Sequence, residues 1–265
     1  MIDIERTVID GRLAEAPEVT LAVSARYGHF TAMQVRQGRV RGLDRHLDRL
    51  DRATEELFGR PLDRGLVVDS IRSALGLDRR PAAAPDASVR VYVCEVARLH
   101  VLVTAKPPTD VATTPRSLKS VRYQRFLPHV KHTGGFPQGY LGRRVQAEGF
   151  DEALLTADDG VISEGSITNL GCFDGTRVIW PDAPMLHGIT MQLMEAGLTQ
   201  AGVPYESRVL RVADLPDFES VFVTNSHGVV AVGRVDDLTL KVDEAAMGRL
   251  IGYFEGMPWE EIHHS

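Results

Sequence analysis

Apolar positions in the first hundred residues follow two periods. Phe30-Thr31-Ala32-Met33-Gln34-Val35 alternates and predicts a strand, as do Thr20-Leu21-Ala22-Val23, residues 89–94 and residues 99–103. Gln37-Gly38 predicts a hairpin turn. Leu43, Leu47, Leu50, Leu57 and Phe58 then recur at helical spacing, with Gly59 as a stop signal. A second helix is expected over 65–75, and the Pro- and Ala-rich stretch 79–87 reads as a loop. Paired strands packed on two helices make an α+β layer.

The stretch 107–115, with Pro107, Pro108 and Pro115, is the candidate linker. Beyond it the pattern changes. Helices are expected over 136–148, 190–201 and 245–254. Short strands are expected over 152–156, 167–173, 177–180 and 220–224, with turns at Asp158-Asp159-Gly160 and Asp174-Gly175. The second half therefore reads as a β-rich, barrel-like unit carrying helices. The expected domains are 1–112 and 119–265, the second containing Lys131, and no internal repeat is seen.

Composition narrows the class. The 265 residues are 43% hydrophobic and 25% charged, with a net charge of −6. Those values fit a globular chain and argue against bulk nucleic-acid binding. No apolar run approaches the ~20 residues needed to span a bilayer. The start has no basic or apolar leader region, and Cys94 and Cys172 read as buried thiols. The expectation is a cytoplasmic protein acting on small molecules, with no nucleic-acid or membrane partner.

The candidate chemistry begins at Lys131. Lysines are few (Lys106, Lys119, Lys131, Lys241), and Lys131 has the apolar neighbours Val130 and Phe126. A desolvated lysine amine becomes a nucleophile and base able to form a Schiff base with a carbonyl. Glu164 follows in Ser163-Glu164-Gly165-Ser166, where a strand reverses and a carboxylate can face a cavity. A lysine that carries a carbonyl cofactor and an acid that keeps a pyridine nitrogen protonated together suggest a pyridoxal 5'-phosphate site. Its phosphate needs N–H donors and a cation. Gly188-Ile189-Thr190 opens a helix, Thr224-Asn225-Ser226 ends a strand, and Arg49 lies on the polar side of the first helix. The bland alternatives are a solvated lysine, a polar turn, simple N-capping and a solvated arginine. His129 and His132 lack a second ligand pair for zinc. No Gly-x-Gly-x-x-Gly, Walker-type or Gly-x-Ser-x-Gly motif occurs.

Taken together, these motifs resemble the class IV aminotransferases, the fold type IV group of pyridoxal-phosphate enzymes. The resemblance runs from about Tyr27 to Val235 and is strongest from Lys131 to Thr190. It implies an α/β sandwich domain, a pseudo-barrel domain, cofactor between them, and a homodimer. It assigns the Schiff base to Lys131 and the ring-nitrogen partner to Glu164, with Asn169 in the same motif. In His46-Leu47-Asp48-Arg49-Leu50, Arg49 takes the place of a phosphate-binding arginine. Leu186-His187-Gly188-Ile189-Thr190 resembles the family's Leu-Pro-Gly-Ile-Thr, whose Ile-Thr amides hold phosphate, and Asn225 and Ser226 match a later phosphate-binding strand end.

Four positions depart from the family pattern. Phe136 stands where branched-chain enzymes have a tyrosine that bonds the cofactor's phenolic oxygen, and Tyr140 is the candidate replacement. His187 replaces the proline, and Met191 replaces an arginine. Phe30-Thr31 stands where aminotransferases often have Phe-Glu, and is closer to the aminodeoxychorismate lyase pattern. Transamination between an amino compound and a keto acid is the expected activity. The alternatives are a lyase that releases pyruvate and a cofactor-free homologue.

Overall fold

The computed structural model describes residues 6–15, 27–77 and 85–262. The strand expected at Thr20–Val23 and most of the 79–87 loop lie outside the described residues. The chain divides into two compact units. The first is 1–110 with 130–134 and 258–265; the second is 111–129 with 135–257.

In the first unit, β1 (Arg6–Ile9), β2 (Arg12–Leu13), β3 (Gly28–Arg36), β4 (Arg39–Arg41), β5 (Ala87–Val96), β6 (Arg98–Lys106) and β16 (Trp259–Glu261) form one sheet. Its order is β16-β4-β3-β5-β6-β1-β2, antiparallel throughout. Gln37 and Gly38 both take positive φ, 51° and 71°, so the β3–β4 hairpin closes with the two-residue turn that matches strand twist. Helix α1 (Leu43–Phe58) buries Leu43, Leu47 and Leu50 and stops at Gly59 in the left-handed conformation. Helix α2 (Arg64–Leu75) starts at Asp63, whose carboxylate accepts the Leu66 N–H. Along β3, His29, Thr31, Met33 and Val35 are buried, and Met33 and Val35 join Leu47, Leu50, Val67, Ile71, Val91 and Val103 in one core. This is the expected α+β layer.

The segment containing Lys131 groups with this first unit rather than with the C-terminal domain expected from the sequence. The reason is backbone pairing on the β3 edge. Phe30 N–H donates to Lys131 O at 2.9 Å, Thr133 N–H donates to Gly28 O at 2.8 Å, and His29 and His132 form a bridge. Similarly, β16 pairs with β4, which carries the C-terminal segment into the same sheet.

The second unit contains helices α3 (Phe136–Ala147), α4 (Ile189–Gln200) and α5 (Glu244–Glu255). Its strands are β7 (Arg116–Arg122), β8 (Glu152–Thr156), β9 (Ile162–Gly165), β10 (Asn169–Phe173), β11 (Val178–Pro181), β12 (Tyr205–Arg208), β13 (Ser220–Asn225), β14 (Gly228–Val235) and β15 (Leu238–Thr239). The sheet order is β12-β11-β10-β13-β14-β7-β8-β9, with β15 on β14. The two ends of this sheet curl together. Beyond β12, Leu210 O accepts the Ile162 N–H of β9 at 2.8 Å, and Val161 bridges Arg211. Strands β8 and β10 are buried at every position, as strands covered on both faces are. Leu118, Leu154, Leu170, Ile179 and Val223 fill one apolar cluster, while Trp180, Met194, Phe222 and Leu250 form another with α4 and α5. No helix among the described residues is long and apolar enough to cross a membrane. Cys94 and Cys172 are buried free thiols.

Candidate functional site

The first unit supplies the amine and a cationic cluster. Lys131 is half-buried, and its Nζ lies 5.0 Å from the centre of the Phe30 ring. Phe30 in turn stacks on Tyr92 at 5.4 Å. The apolar cover therefore includes Phe30, in addition to buried Val130; Phe126 is 77% exposed.

Arg49 is not the solvated helix arginine of the bland alternative. Its Nη2 donates to Thr31 Oγ1, and among the described residues its buried Nε has no hydrogen-bond partner. No carboxylate among them pairs with it. Desolvation alone brings its pKa down to about 10. Thr31 Oγ1 also meets His46 Nδ1 at 2.6 Å, and His29 Nε2 meets Thr54 Oγ1 at 3.0 Å. Burial, then the Arg49 and Lys131 charges, hold His46 well below the usual imidazole range. Burial and Arg49 bring His29 to about 4. A half-buried guanidinium with a shielded, unpartnered Nε, flanked by neutral imidazoles and a hydroxyl, is suited to receive an anion.

The second unit supplies the carboxylate. Glu164 lies in β9, and its Oε1 accepts from Arg125 Nη1 at 3.1 Å with both side chains buried. Its Oε2 accepts the Leu186 N–H at 3.3 Å. Asn169, at the start of β10, donates Nδ2 to Leu186 O at 2.6 Å. Glu164 and Asn169 thus grip the two backbone polar groups of one residue. The Asn169 amide positions this strap. A Cβ at Gly188 would overlap Asn169 Oδ1, so close approach requires glycine there.

Gly188 is the N-cap of α4, whose first intrahelical bond is Gln192 N–H to Gly188 O. The N–H groups of Ile189 and Thr190 precede that bond, the arrangement by which helix starts can take an anion. The Thr190 hydroxyl is engaged elsewhere: it donates to Asn225 O at 2.6 Å, which leaves the amides as the donors. Asn225 ends β13, its Oδ1 accepts the His227 N–H, and Ser226 lies in the turn to β14. Thr224 Oγ1 is buried without a hydrogen-bond partner among the described residues. His187 pairs with Glu195 at 2.8 Å and Met191 is buried in α4. Phe136 and Tyr140 are 82% and 58% exposed and stack on each other in α3.

Sequence reasoning missed Arg125 and Glu152, and did not link Thr31 to Arg49 and His46. Glu152 is buried, and its Oε1 accepts from Ile167 N–H at 2.8 Å, Thr168 Oγ1 at 3.0 Å and Ser166 Oγ at 3.4 Å. The usable signal for Arg125 was an arginine six positions before the lysine; Glu152 gave none beyond its place in Asp151-Glu152-Ala153-Leu154-Leu155.

Residues 28–235 match the model of the family described as amino-transferase class IV. The chain belongs to this family, whose members are pyridoxal-phosphate enzymes. Solved structures show the same fold at low identity. A hypothetical aminotransferase from Mycobacterium tuberculosis in its PLP-bound form has a TM-score of 0.80 at 18% identity, covering 95% of this chain and 98% of that one. The branched-chain amino acid aminotransferase of Escherichia coli has a TM-score of 0.80 at 16% identity, over 98% and 99%. A putative 4-amino-4-deoxychorismate lyase from Legionella pneumophila has a TM-score of 0.77 at 18% identity, over 90% and 92%. A search among curated proteins finds no significant match.

The residues present fit the cofactor. In the first unit Arg49 suits an anion and Lys131 is a half-buried amine; in the second the α4 start suits an anion and Glu164 is a buried carboxylate fixed by a cation.

Proposed function

We propose that the protein is a pyridoxal-phosphate aminotransferase that moves an amino group between an amino acid or amine and a keto acid. When bound, the cofactor supplies an electron sink for negative charge on the substrate carbon that bears nitrogen. Lys131 is the residue that would hold the cofactor, through its amine. The family resemblance assigns phosphate contacts to Arg49 in the first unit and to the Ile189 and Thr190 amides, Asn225 and Ser226 in the second. Glu164 would keep the ring nitrogen protonated, and Arg125, paired with it at 3.1 Å, orients it. Asn169 acts by holding the Leu186 strap before α4. With the cofactor in place, Lys131 Nζ would be the base that takes the proton from the substrate α-carbon. The observation that carries this reading is the half-buried Arg49, whose buried Nε is unpartnered and which has no carboxylate partner among the described residues.

Initial rates with paired amino donors and keto acids test it. Parallel double-reciprocal lines, with no product unless both substrates are present over repeated turnovers, support transamination. Pyruvate release from an amino substrate with no acceptor supports the lyase reading, which Phe30-Thr31 favours. The resemblance also leads us to propose a cytoplasmic homodimer, which sedimentation of the purified chain checks for assembly.

A further inference from the structure

Three groups meet in the first unit between β3 and α1: Arg49, Thr31 and His46. Their hydrogens can be assigned from what each group is able to do. A guanidinium only donates, so Thr31 Oγ1 accepts from Arg49 Nη2. Thr31 is fully buried and has one hydroxyl hydrogen. Among the described residues, its side chain's only other partner is His46 Nδ1, at 2.6 Å. If Nδ1 carried a proton and donated, the Thr31 hydrogen would be buried with no acceptor, which costs more than the bond gains. The hydroxyl therefore donates to Nδ1, and the His46 proton sits on Nε2. The same bond leaves no room for a proton on Nδ1, and burial, then the Arg49 and Lys131 charges, hold the His46 pKa well below the usual imidazole range.

We infer that Thr31 is a positioning residue: its hydroxyl, backed by the Nε2-protonated His46 ring, aims Arg49 at the cofactor phosphate without neutralising it. This rests on the proposed phosphate contact of Arg49. A carboxylate at this position, as in the Phe-Glu pattern of related aminotransferases, would share the guanidinium's charge. A hydroxyl orients it and leaves the whole charge for a dianion. Arg49 Nε is already shielded from water and has no partner among the described residues, so an anion's oxygen would satisfy it.

The test compares pyridoxal phosphate with pyridoxal, which lacks the phosphate. Each is titrated into wild type, Thr31→Val, Thr31→Ser and Arg49→Met and followed by visible absorbance. Thr31→Val should bind pyridoxal phosphate about tenfold more weakly while its pyridoxal affinity is unchanged. Thr31→Ser should restore the difference. In the cofactor-free wild type, the ¹⁵N shifts of the His46 ring should show a neutral imidazole protonated at Nε2. Thr31→Val weakening both ligands equally, or neither, overturns the inference, as does an Nδ1-protonated His46; the His46 spectrum needs no folded variant. If Arg49→Met keeps the full preference for the phosphorylated ligand, the phosphate contact itself is wrong and the inference falls with it. That outcome is distinguishable from failure of Thr31→Val alone.

Discussion

Arg125 and Glu164 form an ion pair at 3.1 Å with each side chain less than a tenth exposed. Taking two charges out of water is costly, and the pair is tolerated because each satisfies the other. Removing one partner leaves the other charge buried without this ion pair. Arg125→Met should therefore lower stability by about 3–5 kcal/mol, read from urea unfolding at pH 7. The double variant Arg125→Met/Glu164→Met should recover much of that loss. A single variant as stable as wild type would show that the pair is not holding Glu164.

The Leu186 clamp makes a second prediction. Gly188→Ala places a methyl against Asn169 Oδ1, so the amide must leave Leu186 O or α4 must shift. Overpacking of this kind typically costs about 1–3 kcal/mol. The loss should appear together with weaker pyridoxal-phosphate binding, because the moved element is the helix start that offers the Ile189 and Thr190 amides. Unchanged cofactor affinity would separate this strap from the phosphate.

The Glu152 bonds all fall on one oxygen. Glu152→Gln keeps a carbonyl oxygen there and should stay within about 1 kcal/mol of wild type. Glu152→Ala strands three donors of the Ser166-Ile167-Thr168 turn and should cost about 2–3 kcal/mol, given that each buried unsatisfied group costs about 1–3 kcal/mol and that neighbours do not add. Equal loss in both variants would mean that the charge, and not the acceptor, fixes the turn.

Two imidazoles set the acid side of the stability profile. His29 titrates at about 4 in the folded protein, against 6.5 in the unfolded chain, and His46 is also held well below 6.5. Between pH 4 and 6.5 the unfolded chain binds the extra protons. Stability from these groups is thus fully present above 6.5 and lost as the pH falls toward 4. His29 alone accounts for about 3 kcal/mol, at about 1.4 kcal/mol per unit. Denaturation at pH 7 and pH 5 checks this, and His29→Asn should flatten the slope. A stability that holds constant from pH 7 to 5 would contradict it.

Local signals carried much of the fold. The Leu43, Leu47, Leu50 spacing with Gly59 placed α1, and Gln37-Gly38 placed the first hairpin. What escaped depends on distant partners. β7, Arg116–Arg122, buries only Leu118 of its seven residues, and is a strand because it pairs with both β14 and β8. β16 exists because Trp259 pairs with Arg41. In the candidate site, Lys131 and Glu164 lie in recognisable motifs, whereas Arg125 occupies irregular chain and meets its carboxylate 39 residues away. Thr31 looked like a substrate-pattern change, and its bonds to Arg49 and His46 appear only once β3 and α1 are packed.

The central claim is that Lys131 is the residue that takes the cofactor. The most direct measurement mixes the purified protein with pyridoxal phosphate, reduces it with borohydride, and maps the modified peptide by mass spectrometry, beside Lys131→Ala. The account predicts a visible band bleached on reduction and one adduct, on Lys131, absent from the variant. An adduct on Lys106, Lys119 or Lys241 with Lys131 unmodified, or no band in folded wild type, would contradict it.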